Sequence, residues 1–176
     1  MRSSQPHTPP PRLPRLWLMT DERQGEGLIG AVGRLPEGAG ILFRHYGLAE
    51  SERRALFDRV RLAHAGLLLL AGPAAQAASW GAEGSHGPGP GEGLRTAPAH
   101  DLAEIRAAEA ARARLIFLSP VFVTQSHPGR QPLGEARFEA LAGRTALPVV
   151  ALGGMNAERA KSLSGAYGWA GIDAWT

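Results

Sequence analysis

Cysteine is missing from this sequence, and lysine is nearly so. The absence of cysteine excludes disulfide bonds, thiolate nucleophiles and zinc sites built on cysteine. Long apolar segments are missing too, since the longest, near residues 67–70, is far shorter than the roughly 20 residues that span a bilayer. The N-terminus carries arginines but no apolar segment before a cleavage site, so we expect a cytoplasmic protein without a secretory signal or membrane contact.

The scarcity of lysine shapes the charge of the chain. Lys161 is the only lysine, and arginine supplies the other basic groups. The pI is high, at about 10.1, but the formal net charge is only +3, because a small excess of arginine raises the pI steeply where few groups titrate. The arginines are scattered and do not alternate with aromatic residues, so we expect no nucleic-acid-binding surface.

The residues that are present suit one folded domain. The chain has 176 residues, of which 44% are hydrophobic, and this is ordinary for a globular domain with its own core. Residues 1–14 are rich in proline, and this composition predicts a disordered or extended arm. We assign residues 15–176 to a single domain.

Eight short apolar or β-like segments follow one another along this domain. Near-continuous apolar segments without alternation are typical of parallel strands that are buried on both faces. The predicted strands are residues 16–19, 40–43, 67–70, 84–86, 94–97, 115–118, 149–152 and 170–174.

Helical patterns separate most of these strands, at residues 27–35, 49–65, 101–113, 133–142 and 157–163. Only glycine, proline and one glutamate stand between the fourth and fifth strands, and glycine and proline disfavour a helix there. No helical pattern follows the eighth strand. The order predicts an α/β fold, a shortened (β/α)8 TIM barrel with helices missing after strands 4 and 8. We expect the barrel wall at those places to be apolar and a second copy to cover it in a homodimer.

Polar and flexible residues gather where the sixth and seventh predicted strands end. Ser119 follows the sixth strand, Thr124 lies in the loop behind it, and the pair Gly153–Gly154 follows the seventh. The C-terminal ends of barrel strands meet in one mouth, where such folds carry small-molecule chemistry. Serine and threonine also cap loops, and paired glycines also allow tight packing, so a purely structural role stays open for each residue.

Motifs at the strand ends carry a family resemblance that extends over residues 16–175. The loop SPVFVTQSHPG (119–129) and the segment PVVALGGM (148–155) are its most specific parts, and LWLMTD (16–21), GAEGSH (81–86) and APAHD (97–101) support it. Together they resemble thiamine phosphate synthase and its TenI-like relatives. The resemblance implies a TIM barrel whose synthase joins a pyrimidine diphosphate to a thiazole phosphate with the help of Mg²⁺ and releases pyrophosphate.

The resemblance also implies roles for individual residues. Arg44 and His127 would hold the pyrophosphate and act, together with His100, as the catalytic candidates. Thr124 and Ser126 would position the leaving group. Gly153 and Gly154 would bind the thiazole phosphate through their backbone. The residues expected to line the pocket around them are Asp21, His45, His86, Ser119 and Asp173.

The sequence departs from the family where Mg²⁺ would bind. The third strand should end in Asn-Asp, but here it ends in Ala71-Gly72, and the loop after the fourth strand offers Glu92 as its only carboxylate. Because Mg²⁺ binds oxygen ligands, we predict a degraded Mg²⁺–diphosphate site and do not expect full synthase activity. Mg²⁺ is a cofactor only if that activity is retained, and no other cofactor is predicted.

Two alternatives to a synthase-like binder stay open. One is a TenI-like isomerase that uses a histidine as acid or base, although Pro120 stands where those isomerases place theirs. The other is a non-catalytic ligand-binding or regulatory paralogue, which would bind a thiazole or pyrimidine phosphate without turnover. The spacing of His86, His100 and His127 is not that of metal ligands, so we predict no zinc site.

Overall fold

The chain folds into a closed barrel of eight parallel strands in the order β1 to β8. The structure, a computed structural model, describes residues 12–87, 93–124, 129 and 131–175. Each strand pairs in parallel with its two neighbours in the chain, and β1 closes the barrel on β8. The strands are β1 Leu16–Met19, β2 Gly40–Phe43, β3 Leu68–Ala71, β4 Gly84–His86, β5 Leu94–Ala99, β6 Leu115–Leu118, β7 Val149–Ala151 and β8 Gly168–Gly171.

Helices connect most strands on the outside of the barrel. They are α1 Leu28–Gly33, α2 Glu50–Ala63, α3 Ala74–Trp80, α4 Leu102–Ala110, α5 Gly134–Ala142 and α6 Ala157–Ala160, with a 3-10 helix at Glu22–Gly27 before α1. The shortened (β/α)8 fold is therefore confirmed, and the described residues contain no helix between β4 and β5 or after β8. Asp101 caps α4 by accepting a hydrogen bond from the Glu104 backbone N–H at 2.9 Å. None of the described helices is both long enough and apolar enough to cross a membrane.

The inside of the barrel is a packed core. Trp17 is fully buried there, and its ring meets Phe117 edge to face with centroids 5.3 Å apart. Gly40 on the neighbouring strand lies against this indole. A Cβ at that position would come within 2.6 Å of the Trp17 ring. The large side chain on β1 thus requires a glycine on β2. Ala170 belongs to this core and also lines the cavity at the C-terminal ends of the strands.

The barrel wall beyond β8 is covered by the chain itself. Trp175 stacks on Trp169, with ring centroids 5.1 Å apart and planes 7° from parallel. Its backbone carbonyl accepts a 2.7 Å hydrogen bond from Arg34 Nε just beyond α1. The expectation of an uncovered wall at this place is corrected in part, because two stacked indoles stand where a helix would pack. The predicted homodimer stays a prediction.

The wall beside β5 carries a groove of about 280 Å³ against α4. Its lining is mostly small and apolar and includes Ala97, Pro98 and Ala107. The apolar character that we predicted for this flank is therefore present in the described residues that line the groove. His100 and Glu104 also line it.

Candidate functional site

A cavity of about 350 Å³ opens at the C-terminal ends of the strands. It lies beside the loops that follow β6, β7 and β8 and reaches across to residues that follow β2 and β5. The structure brings seven of the predicted site residues to its wall: Arg44, His100, Ser119, Thr124, Gly153, Gly154 and Asp173. Loops from distant parts of the sequence therefore share one mouth, as the barrel topology predicts. Ser126 and His127 lie outside the described residues.

Arg44 is held at this mouth by the end of β1. Its Nε donates to the Thr20 carbonyl at 2.8 Å, and its Nη2 donates to Asp21 Oδ2 at 2.9 Å. The Thr20 hydroxyl also accepts from the Arg44 backbone N–H at 2.9 Å. Burial lowers the pKa of Arg44, while the charge of Asp21 opposes this shift. The arginine is thus oriented by fixed partners before any ligand binds.

Asp21 connects two arginines and does not itself line the cavity. Its carboxylate accepts from Arg23 Nε at 2.9 Å as well as from Arg44. Burial acts to raise the pKa of Asp21, but hydrogen bonds from Arg23 and the charge of Arg44 bring it below its ordinary value. Arg23 also faces Asp173, with Nη2 and Oδ2 3.9 Å apart. Positive and negative side chains therefore alternate around this side of the mouth.

His45 and His86 are placed away from the cavity, although we expected both to line it. His45 has a positive φ of 48°, which turns its ring onto Phe43 at 4.9 Å, and its Nδ1 lies 3.0 Å from the Thr20 hydroxyl. His86 is buried below the mouth against Phe117, with Nδ1 2.9 Å from the Thr96 hydroxyl. Burial lowers the pKa of His86 to about 3. His86 is therefore neutral at physiological pH and suited to a structural role.

His100 does reach the mouth, and it is fixed by Glu104. Its Nδ1 lies 2.6 Å from Glu104 Oε2, and the same oxygen accepts from the His100 backbone N–H at 2.7 Å. Among the described residues, no other partner of the ring is found. Nε2 is consequently the ring atom that remains for a ligand. Glu104 is not among the residues predicted from the sequence. Its position in the first turn of α4, four residues after His100, is the signal that indicates it.

Gly153 and Gly154 form a tight turn that packs on the loop after β6. Their φ angles are 96° and 63°, in the region that favours glycine. The Gly153 carbonyl accepts from the Phe122 backbone N–H at 3.0 Å, so the two loops are joined. A Cβ at Gly153 would come within 2.7 Å of Pro120 Cα. Close packing thus requires both glycines, and their own N–H groups donate to no other described residue.

The end of β3 offers no side-chain ligand for a divalent metal ion. Ala71 and Gly72 offer no side-chain oxygen, and the Ala71 carbonyl already accepts from Arg53 Nη2 at 2.7 Å. Over the described ranges, with their gaps at 88–92 and 125–128, no group of three or more His, Asp or Glu side chains could hold a metal. Gly72 has a φ of 141°, a backbone conformation that an aspartate would adopt only with strain.

Comparisons with known proteins give a consistent result. The sequence model of a family described as thiamine monophosphate synthase matches residues 96–175. A protein of Aquifex aeolicus (strain VF5) named putative thiamine-phosphate synthase 2 is 34% identical over 179 residues. That alignment covers 91% of this chain and 96% of the relative.

Solved structures share the barrel. Thiamine phosphate pyrophosphorylase from Pyrococcus furiosus superimposes with a TM-score of 0.76 at 21% identity, over 91% of this chain and 86% of the other. Thiamine phosphate pyrophosphorylase from Bacteroides thetaiotaomicron gives a TM-score of 0.62 at 13% identity, over 90% and 82%. At these identities the superpositions establish the fold alone.

Proposed function

The chain belongs to the thiamine monophosphate synthase family, and we propose that its mouth binds one phosphorylated thiazole or pyrimidine. The observation that carries this proposal is the turn at Gly153–Gly154. Its two N–H groups lack partners among the described residues and belong to a cavity that also holds Arg44. A volume of about 350 Å³ is in the range of small-molecule sites.

The phosphate would be held mainly by the backbone of this turn. Backbone N–H groups that converge on one point form a concave site for an anion. Thr124 lies on the same wall and offers a hydroxyl. Asp173 is an opposing charge, because a carboxylate near a phosphate repels it, although Arg23 lies 3.9 Å from that carboxylate and offsets part of the repulsion.

We infer that the described residues of this mouth do not supply everything that full synthase activity requires. Release of pyrophosphate builds up negative charge on the leaving group, which basic side chains or a metal ion must stabilise. At the β2–β3 side of the mouth, Arg44 is already paired with Asp21 at 2.9 Å, and the end of β3 has no metal ligand. We therefore propose a binder of the monophosphate with little or no transferase activity.

Calorimetric titration tests the binding proposal. The purified protein is titrated with the thiazole phosphate and, separately, with the pyrimidine phosphate and both dephosphorylated alcohols. We expect saturable binding of at least one phosphate, and affinity for its alcohol weaker by about 10-fold or more, since a charged hydrogen bond contributes about 1.5–3 kcal/mol. Equal affinity for phosphate and alcohol would contradict a phosphate site on the glycine turn.

A second assay tests the loss of the synthase reaction. The protein is incubated with both substrates and Mg²⁺, and thiamine phosphate is measured over time. We expect turnover far below the typical enzyme rate of about 10 s⁻¹. A rate in that range would show that a metal-dependent leaving-group site persists in spite of Ala71 and Gly72.

The pair of His100 and Glu104 favours a second candidate function, an isomerase that moves a proton on the same ligand. A histidine whose Nδ1 is engaged at 2.6 Å can exchange a proton through Nε2. His100→Asn should abolish such an isomerisation, whereas His64→Asn, at the opposite end of the barrel below β3, should leave it unchanged. Binding without any isomerisation in the unmodified protein would favour the non-catalytic paralogue.

A further inference from the structure

One buried cation near the mouth does not itself line the cavity. Arg53 on α2 is only 8% exposed. Its Nε donates to the Arg44 carbonyl at 2.7 Å, and its Nη2 donates to the Ala71 carbonyl at 2.7 Å. These carbonyls lie where β2 and β3 end, so one planar guanidinium joins the two strand ends.

Arg53 carries its charge without a direct carboxylate partner. No described Asp or Glu oxygen lies within the 4.0 Å of an ion pair. The guanidinium instead lies over the rings of Tyr46 and Trp80, at 5.3 and 5.4 Å from their centroids. A buried cation without a counter-charge is unfavourable unless polar groups compensate it, and the two strand-end carbonyls supply that compensation.

The backbone at the end of β3 is shaped around this arginine. Gly72 adopts a φ of 141°, and a Cβ there would come within 3.1 Å of Gln76 Oε1. Gln76 Oε1 in turn lies 3.5 Å from Arg53 Nη1. A carboxylate-bearing residue in place of Gly72 would therefore meet both backbone strain and the side chain that contacts Arg53.

We infer that Arg53 is a positioning residue that takes the place of a divalent cation on this side of the mouth. It joins the ends of β2 and β3 and thereby fixes Arg44, which lines the cavity, so that anion binding needs no metal. The inference rests on the proposed phosphate site. It predicts that the effect of Arg53 on the ligand passes through Arg44, because Arg53 itself is not on the cavity wall.

The neighbouring residue provides a matched control. Arg54 lies on the same helix and also contacts Trp80, at 5.6 Å from Cζ to the ring centroid. Its charge is paired with Asp58 at 2.9 Å within one turn of α2. A contribution that arises only from packing on Trp80 should be shared by Arg53 and Arg54, whereas positioning of Arg44 belongs to Arg53 alone.

The test measures the affinity for inorganic phosphate by calorimetry, with EDTA and with Mg²⁺. The unmodified protein should give the same Kd within about twofold in both buffers, which is below about 0.5 kcal/mol. Arg53→Met should weaken binding by about 10-fold or more, and Arg54→Met should leave it unchanged. Arg53→Lys should fall between them, since lysine keeps the charge but not the planar fork that spans two carbonyls.

A double-variant comparison separates positioning from packing. If Arg53 acts through Arg44, then Arg53→Met adds little further loss of affinity in an Arg44→Met background. Additive losses, or wild-type affinity in Arg53→Met, would overturn the inference. If Arg53→Met does not fold, the Lys variant and the Mg²⁺ comparison still decide it.

The two proposals fail in different ways. Phosphate binding that appears only with Mg²⁺ overturns the role of Arg53 and leaves the phosphate site intact. No phosphate binding in either buffer removes the proposed function itself, and the inference about Arg53 with it.

Discussion

Replacement of Gly154 by alanine tests the glycine turn most directly. Gly154 has a φ of 63°, and an L-residue in this region costs about 1–2 kcal/mol. Its Cβ would also come within 2.5 Å of the Val123 carbonyl oxygen and 3.0 Å of Phe122 Cβ. Because these contacts involve the loop backbone, relief requires the loop itself to move, at a cost of about 1–3 kcal/mol.

The two contributions add to a loss of about 2–5 kcal/mol in the free energy of unfolding. The same movement displaces the amides that we propose for the phosphate. Loss of one hydrogen bond to a charged group corresponds to about 10- to 150-fold in Kd. Gly154→Ala should therefore lower both stability and phosphate affinity.

Urea unfolding followed by circular dichroism measures the first quantity, and calorimetric titration with phosphate the second. Gly33→Ala is the matched control, since Gly33 ends α1 and a Cβ there would meet nothing within 4 Å. That change should be neutral or stabilise by up to about 1 kcal/mol. If Gly154→Ala unfolds within about 0.5 kcal/mol of the unmodified protein, the tight-turn argument is wrong.

Three further changes have expected outcomes. Trp175→Ala removes the stack on Trp169 and should lower the free energy of unfolding by about 2 kcal/mol, which is less than the loss for a fully buried tryptophan. Leu62→Ala, at an exposed position, is the control. Equal losses in the two variants would refute the covering role of Trp175. The pKa of His86 is about 3 in the folded protein and 6.5 for an ordinary histidine. Between these two pH values the unfolded chain binds a proton that the folded protein does not. The free energy of unfolding therefore falls as the pH drops below about 6.5, by about 2 kcal/mol at pH 5. His86→Asn should flatten this decline in unfolding free energy between about pH 7 and pH 5, and an unchanged slope would contradict burial of a neutral ring. Asp173→Ser should tighten phosphate binding by about fivefold, corresponding to about 1 kcal/mol of relieved repulsion, and weaker binding in calorimetry would show that the carboxylate assists the ligand.

The barrel was predictable because buried parallel strands leave a clear pattern. Strands β1, β2, β4 and β6 begin and end where their apolar segments do. Strand β8 was predicted too late in the chain: it begins at Gly168, whose neighbour Trp169 donates from its backbone N–H to the Arg15 carbonyl at 2.8 Å. A Cβ at Gly168 would collide with the Arg15 carbonyl. This contact between distant parts of the chain requires a glycine, and the hydrophobic pattern of the sequence does not reveal it.

Helix α3 was not among the predicted helices, although Ala74–Trp80 contains four alanines, the best helix former. The segment is short and lacks an acidic or hydroxyl cap, since Pro73 precedes it and no side chain caps it. Its C-terminal end is set by Gly81 in the left-handed conformation, which is a signal that the sequence does carry.

The mouth was predictable from topology, and side-chain direction was not. Residues that follow strands were expected to converge, and Thr124, Gly153 and Arg44 do line one cavity. His45 lies between Arg44 and Tyr46 in the sequence, but its φ is positive and its ring is buried against Phe43, away from the cavity wall. Arg53 was not predicted because its partners are the backbone carbonyls of Arg44 and Ala71 at the ends of β2 and β3, which no local spacing can indicate.

The arrangement of the C-terminal segment has a practical consequence for protein design. Ala174 belongs to the cavity wall, and the next residue, Trp175, is anchored by Arg34 and by its indole stack. A purification tag or fused reporter attached directly after Trp175 would leave from the rim of the cavity at the strand ends. A tag placed before residue 1 is farther along the chain from the cavity residues, such as Gly154 and Asp173, whose variants are compared.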